Sequence, residues 1–253
     1  MKDIRIIPLL HIKSENVVKP VHTEALRVVG SPKSLSTRYY AEGADELIYL
    51  DVVASLYQRN FDFELLRSVT ENIFIPVTVG GGIRSITDIN NALRAGADKV
   101  AINTYAVRHP VFLKEAAKEF GSQCITLFIE AKQRPDGSYE VYTDGGREWT
   151  GSDAIEWAKQ AIDLGVGEIL ISSIDRDGTK RGYDVELIRK ISTFAPIPII
   201  AHGGAGTSES IREVICEGKA DAVAVSSVFH YGELSIQNVK RYLVERGIAT
   251  REI

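Results

Sequence analysis

Residues 75–104, IPVTVGGGIRSITDINNALRAGADKVAINT, have a close counterpart later in the chain. Residues 197–227 read IPIIAHGGAGTSESIREVICEGKADAVAVSS, with the apolar runs, the glycine turn and the helical pattern in the same order. A second pair, EGADELIYLD at 42–51 and LGVGEILISS at 164–173, repeats at the same spacing. Such a repeat indicates one half-structure used twice, so a site in one half predicts a mate in the other.

The repeat lies within a longer alternation of short apolar runs and amphipathic stretches. Helical patterns such as 88–97, 110–120, 152–165 and 208–219 separate the runs, and several end in glycine: Gly43, Gly96, Gly165 and Gly218. Glycine suits the left-handed conformation that ends a helix. The whole pattern predicts an α/β fold, a (βα)8 barrel with half-barrel duplication, and residues 1–253 as a single domain. The predicted strands are 4–10, 46–50, 75–79, 98–102, 123–129, 168–173, 197–201 and 221–225.

Two segments interrupt the alternation. Residues 132–151, KQRPDGSYEVYTDGGREWTG, place turn signals on both sides of the alternating SYEVYT and predict a small hairpin after strand five. Residues 14–32 predict a long loop after strand one. Long loops at the carboxyl ends of barrel strands often act as lids.

Composition excludes several classes of protein. The net charge of −4 and pI near 5.8 give no basic surface for nucleic acid. The start, MKDIRIIPLL, has charges around a very short apolar run, so we expect neither a signal peptide nor a membrane anchor. The two cysteines, Cys124 and Cys216, fit buried thiols in a reducing compartment better than a disulfide. The expectation is a cytoplasmic protein that binds neither nucleic acid nor membrane.

Each half carries a glycine turn followed by small polar residues one strand later. Backbone N–H groups in such a turn can bind phosphate, whereas the alternative is that these glycines only make tight turns. Because the arrangement occurs twice at the repeat spacing, the sequence favours two phosphate sites and an elongated ligand with a phosphate at each end. We call the two sets the first-half cradle and the second-half cradle: Gly80, Gly81, Gly82, Asn103 and Thr104; and Gly203, Gly204, Ser226 and Ser227.

His11 and Glu130 follow the first strand of each half and are predicted to face each other at the barrel mouth. Two titratable groups on either side of a substrate can form an acid/base pair, although a strand-end histidine can also be only solvated. Asp177, before Gly178, is grouped with the phosphate-binding residues and is predicted to orient substrate, although an Asp-Gly pair can also only make a turn. Other polar strand ends predicted to point into the mouth are Asp51, Ser172 and His202.

The opposite end of the barrel is also predicted to carry charges. Charged residues that face an interior need partners, because burial costs them their hydration. The sequence therefore predicts a ring of salt bridges, which either stabilises the fold or serves as a gate or interface. We call it the charged ring: Arg5, Glu46, Lys99 and Glu168.

Over essentially its whole length the sequence resembles the cyclase subunit of imidazole glycerol phosphate synthase. The segments that carry the resemblance are GADELIYLDV, FIPVTVGGGIRSITD, AGADKVAINT, FGSQCI, GVGEILISSIDRDGTKRGYD, IPIIAHGGAG and SSVFHYGELSI. It implies a (βα)8 barrel in a heterodimer with a glutaminase subunit, whose ammonia enters at the bottom of the barrel. At the mouth the ammonia reacts with a bisphosphorylated ribotide in histidine biosynthesis, with no metal or organic cofactor.

By position, the resemblance assigns the first-half cradle to one phosphate site, and Gly203, Gly204 and Ser227 of the second-half cradle to the other. It assigns the charged ring to the ammonia entrance. Asp98 matches a residue of the glutaminase docking face, and Lys19 matches a lysine that assists the reaction.

The sequence departs from the family at the residues that carry out the reaction. The family has aspartates where this chain has His11 and Glu130, a serine at His202 and a glycine at Pro20. Some relatives supply ammonia to a sugar amidotransferase that makes amidino sugars for surface polysaccharides, and residues 26–32, LRVVGSP, are more similar to those relatives. Three interpretations stay open: a working cyclase, such a paralogue, and a noncatalytic barrel that docks a glutaminase.

Overall fold

A computed structural model of the protein describes residues 3–22 and 24–252. Over these ranges the chain alternates strands with helices, as the apolar runs predict. The strands are β1 (Arg5–Lys13), β2 (Asn16–Val21), β3 (Glu24–Gly30), β4 (Leu47–Asp51), β5 (Val77–Gly80), β6 (Lys99–Ile102), β7 (Ile125–Gln133), β8 (Tyr139–Thr143), β9 (Glu148–Asp153), β10 (Glu168–Ser173), β11 (Ile199–His202) and β12 (Ala222–Val225).

The helices follow the strands along the chain, and a short 3₁₀ helix at Ser122–Cys124 precedes β7. In the described part of the chain, none is long and apolar enough to cross a membrane. The helices are α1 (Pro32–Ala41), α2 (Phe63–Thr70), α3 (Ile86–Arg94), α4 (Thr104–Arg108), α5 (Val111–Phe120), α6 (Ala154–Asp163), α7 (Val185–Ser192), α8 (Ser208–Cys216), α9 (Ser227–His230) and α10 (Ile236–Val244).

Eight of the strands close into a parallel barrel. Parallel pairing runs in the order β1, β4, β5, β6, β7, β10, β11 and β12, and β12 pairs with β1 to complete the circle. All eight belong to the runs that the sequence predicts as strands, so the predicted (βα)8 barrel is confirmed. Their carboxyl ends meet at one face of the barrel, where active sites of this fold lie.

The apolar residues form two separate buried clusters. The larger one lies between the strands and the helices that surround them. The smaller one fills the barrel interior and combines large side chains with alanines: Ile7, Leu9, Ile48, Leu50, Ala101, Leu170, Ile200, Ala222 and Ala224. Burial of both clusters provides most of the free energy that stabilises the barrel.

The two interruptions are both antiparallel sheet. The segment after β7 folds back as β8 and β9, which confirms a hairpin there. Residues 14–32, predicted as a long loop, instead contain β2 and β3, and β2 pairs with the end of β1. The prediction of a loop was wrong because NVVKPV and EALRVVG carry the β-branched residues of strands.

The glycine prediction holds at three helix ends and fails at the fourth. Gly43, Gly96 and Gly165 have φ of 85°, 106° and 95°. Near Gly218 the left-handed residue is instead Lys219, with φ of 61°. Gly218 is needed for a different reason, since a Cβ there would lie 2.5 Å from the carbonyl oxygen of Val214.

The internal repeat is visible as matched hydrogen bonds. The carboxylate of Asp98, before β6, accepts a hydrogen bond from the backbone N–H of Val77 at 2.8 Å. Asp221, at the same place before β12, accepts one from Ile199 at 2.9 Å. The two halves therefore join neighbouring strands with the same aspartate-to-backbone hydrogen bond. Because this part is alike in both, differences between the halves at the mouth can be compared position by position.

Candidate active site at the barrel mouth

A cavity of about 740 Å³ opens at the carboxyl ends of the barrel strands. It contains His11 and Glu130, the two residues predicted to form an acid/base pair. Asp51, Ser172 and Asp177 also line it, as predicted for polar strand ends. The structure therefore brings these five strand-end residues together around one cavity.

The first-half cradle lines this cavity through Gly81, Gly82, Asn103 and Thr104. Gly81 and Gly82 have φ of 102° and 74°, and a Cβ at either would come within 2.5 Å of a backbone oxygen of Asp51 or Arg59. Close packing alone therefore requires both glycines. Their exposure to the cavity is the separate observation that leaves their backbone accessible to a ligand.

Glu130 is a buried carboxyl at the centre of the mouth. The side-chain amide of Asn103 donates to its Oε2 at 2.8 Å, and the backbone N–H of Gly146 also donates to the carboxyl. Burial outweighs these donors and raises the pKa of Glu130 to about 8. The carboxyl is mostly protonated at neutral pH and can act as a general acid.

The pKa of His11 is shifted in the opposite direction to that of Glu130. It is buried, and its Nδ1 has no hydrogen-bond partner among the described residues. Burial, then the positive charge of Lys19, lower its pKa well below the usual value. A neutral imidazole can accept a proton, so burial favours the protonated form of Glu130 and the unprotonated form of His11.

The second half of the mouth is built differently. Nδ1 of His202 lies 2.9 Å from the hydroxyl of Ser172, and its Nε2 lies 3.3 Å from the hydroxyl of Ser226. Ser226 in turn donates to the carbonyl oxygen of Leu9 at 2.8 Å. We call Ser172, His202 and Ser226 the histidine bridge. His202 lies two residues after the inward-facing Ile200, and its ring centroid is 5.5 Å from that of His11, so it points toward the mouth as predicted. It is 3% exposed and covered by its neighbours, so it does not itself line the cavity.

Lys19 lies over this second half as part of a buried ion pair. Its ammonium group is 2.7 Å from Asp177, and both side chains are under 5% exposed. The backbone N–H of His22 also donates to the carbonyl oxygen of Asp177 at 3.1 Å. The β2–β3 hairpin is thereby fastened to the segment after β10, and Asp177 has a partner that sequence alone did not identify.

At the opposite end of the barrel, the four charges of the charged ring alternate in sign and contact one another. Arg5 bonds Glu46 at 2.9 Å and Glu168 at 2.5 Å. Lys99 bonds the same two carboxylates at 3.0 and 2.9 Å. The carboxylates are 2% and 7% exposed, whereas the two cations are 24% and 18% exposed. The ring therefore closes the bottom of the barrel with its cations nearest to solvent.

Sequence reasoning missed the outer wall of the cavity. Trp149 lines it from the β8–β9 hairpin and is 72% exposed. Arg108 also lines it and bonds Asp144 at 2.6 Å. The Asp144-Gly145-Gly146 turn signal was recognised, but not that it would bring a backbone N–H onto Glu130. Within the described ranges, no three His, Cys, Asp or Glu side chains are grouped to hold a metal ion.

Comparison with known families agrees with this architecture. A sequence model of the family described as Histidine biosynthesis protein matches residues 5–235, from the first barrel strand to the residue before α10. That family comprises isomerases and cyclases of histidine biosynthesis. The match includes all eight barrel strands, both cradles and the charged ring. The chain therefore belongs to the histidine biosynthesis protein family.

Proposed function

We propose that this chain is the ammonia-receiving barrel of a heterodimer with a glutaminase subunit, and that it uses the ammonia at its upper mouth. The charged ring carries the proposal. Its four charges occupy the end of the barrel opposite the cavity, and its two cations are partly exposed at that face. Such a ring costs desolvation and is weak evidence for stability alone, so a role at an interface is favoured.

The barrel interior supports a path for a small neutral molecule. Nine apolar side chains fill the interior between the ring and the mouth, and three of them are alanines: Ala101, Ala222 and Ala224. Beside the ring, the buried hydroxyl of Thr78 donates to Glu46. Ammonia entering at the ring would travel along this axis to Glu130 and His11. There, Glu130 would supply a proton and His11 would accept one.

Imidazole glycerol phosphate formation from a bisphosphorylated ribotide is the first candidate reaction. The large cavity, the accessible first-half cradle and the acid/base pair support it. The family resemblance implies that it needs no cofactor.

Ammonia delivery to a sugar amidotransferase, for amidino sugars of surface polysaccharides, is the second candidate. It is supported by the two catalytic positions at the mouth, His11 and Glu130, whose residues differ from those of the cyclases. Where the cyclases have two aspartates, this chain has a neutral imidazole and a carboxyl that stays protonated near neutral pH.

The partner is tested by co-expression with the glutaminase encoded nearest to it. We expect the two chains to elute as one species in size exclusion. Lys99→Ala should reduce glutamine-driven transfer much more than transfer driven by ammonium salts, because it changes the entrance and not the mouth. Lys114→Ala, on the exposed face of α5, is the matched control. Two separately eluting chains would contradict the proposal.

The acceptor is tested with purified protein, ammonium salts and the bisphosphorylated ribotide. If the cyclase reaction is the function, the ribotide is converted. Absence of turnover at millimolar ammonia would rule that reaction out and leave the amidotransferase route. The double variant with His11→Asp and Glu130→Asp should then gain cyclase activity if these two positions suppress it, and an unchanged rate would assign the loss to other positions.

A further inference from the structure

The two halves of the mouth, which the repeat predicts to be alike, differ at three matched positions. The repeat aligns Gly80 with His202, Leu50 with Ser172, and Asn103 with Ser226. In the first half, the glycine contributes no side chain, and a Cβ there would meet a Leu50 methyl group at 2.7 Å. In the second half, an imidazole occupies the corresponding space and joins the two serines.

The backbone at these positions is nevertheless the same in both halves. Asn103 has φ −121° and ψ −89°, and Ser226 has φ −119° and ψ −83°. The second-half cradle thus keeps the backbone of the first, and what changes is the side chain that lies over it.

The hydrogen bonds of the histidine bridge have one consistent direction. The carbonyl oxygen of Leu9 can only accept, so the Ser226 hydroxyl uses its single proton on it. Ser226 must then accept from Nε2–H of His202, which leaves Nδ1 to accept from the hydroxyl of Ser172. The side-chain donors of Ser172, His202 and Ser226 are thus all used within the protein, and none of these three side chains can donate to a phosphate oxygen.

The second-half cradle is also buried away from the cavity. The cavity is lined by four of the five residues of the first-half cradle, whereas all four residues of the second-half cradle are described, buried and outside its lining. The backbone N–H of Gly182 donates to the carbonyl oxygen of Gly204 at 2.8 Å. The segment after β10 packs on the second glycine turn much as the segment after β4 packs on the first, where a Cβ on Gly82 would lie 2.3 Å from the carbonyl oxygen of Arg59. The difference between the halves is therefore the buried state of the second-half cradle and the imidazole of His202.

We propose that the mouth binds a ligand with one phosphate, held at the first-half cradle, and that His202 excludes a second phosphate from the second-half cradle. The far end of the ligand meets Ser172, neutral His11 and the carboxylate of Asp177, whose charge Lys19 balances. No free cation faces the cavity at that end among these residues. The ligand class that fits is a monophosphorylated compound with an uncharged, hydroxyl-bearing end, such as a sugar phosphate.

This inference rests on the proposed function in one respect, since both place a phosphorylated ligand at the mouth. It replaces the expectation of an elongated ligand with a phosphate at each end. A bisphosphorylated ribotide would be held at one end only, so the inference favours the second candidate acceptor. It makes no use of ammonia or of the glutaminase, so the two proposals can fail separately.

The test measures how many inorganic phosphate ions bind to the full chain, by equilibrium dialysis and by crystals soaked in phosphate. We expect one ion in the wild type, at Gly81, Gly82, Asn103 and Thr104. His202→Ser should bind a second ion at the second-half cradle, whereas His202→Gln, which keeps a long polar side chain, should bind one. His202→Ala replaces the serine variant if that protein does not fold.

A second measurement uses the bisphosphorylated ribotide and its monophosphorylated counterpart. The wild type should bind the two with similar affinity, and His202→Ser should bind the bisphosphate roughly tenfold more tightly, as expected for new charge-assisted hydrogen bonds. Phosphate at both cradles of the wild type, at neither cradle, or at only one in His202→Ser would each overturn the inference. None of these outcomes would affect the glutaminase complex.

Discussion

Glu46→Ala is expected to lower the free energy of unfolding by about 3 kcal/mol. Glu46 is 2% exposed and accepts hydrogen bonds from Arg5, Lys99 and, at 2.6 Å, the hydroxyl of Thr78. Its removal leaves two cations to share the carboxylate of Glu168. We place the effect at the lower end of the range for broken buried pairs, because both cations reach solvent. Thermal and urea unfolding measure it.

Glu71→Ala is the matched control, because Glu71 is an exposed glutamate beyond α2. We expect its effect to stay within about 0.5 kcal/mol. The double variant that removes both Glu46 and Lys99 should lose less than the sum of the single variants, since each is destabilised by the other's unpaired charge. A loss below about 1 kcal/mol in Glu46→Ala would show that the ring does not hold its charges as a coupled unit.

Glu130→Gln is expected to change how stability depends on pH. In the unfolded chain a glutamate loses its proton near pH 4.3, whereas in the folded protein the pKa of Glu130 is about 8. Between these values the folded state binds more protons than the unfolded state, so stability falls as the pH rises. From pH 5 to pH 8 the wild type should lose about 3.5 kcal/mol relative to the glutamine variant, and above about pH 9 the difference should become constant.

Urea unfolding of both proteins at intervals from pH 5 to pH 9 provides the measurement. The comparison cancels the contributions of the buried histidines, which both proteins share. Glu130→Asp is the matched control, because it keeps an ionisable carboxyl at the position and should retain the pH dependence. A constant difference between wild type and Glu130→Gln over this range would mean that the carboxyl is ionised in the folded protein.

The barrel could be predicted from sequence because its signals are local and repeated. Apolar runs separated by amphipathic helices specify parallel strands, and the internal repeat fixed which ones correspond. The charged ring was predicted for a related reason, since charges at the start of alternate strands face one interior layer. Strand alternation and layer geometry were therefore enough to place the charged side chains at the bottom of this barrel.

The mouth was less predictable because its contacts join residues far apart in sequence. Sequence predicts a long loop around Lys19, whereas the structure pairs its ammonium group with Asp177, 158 positions later in the chain. His202 was assigned to the mouth by its place at a strand end, but sequence did not show that Ser172 and Ser226 would hold its ring on both sides. Whether a strand-end side chain faces a ligand or a neighbour depends on such partners, and no local pattern reports them.

The apolar interior has a consequence for the species that can move through it. A cation leaving the charged ring for the axis of the barrel would lose its hydration among Ile7, Ile48 and Leu170, with no carboxylate to replace it. Uncharged ammonia does not pay that electrostatic cost. Under the proposed function, the interior would thus discriminate by charge: it would exclude ammonium from the surrounding solution, and ammonia delivered by the glutaminase would stay unprotonated until it reached the mouth.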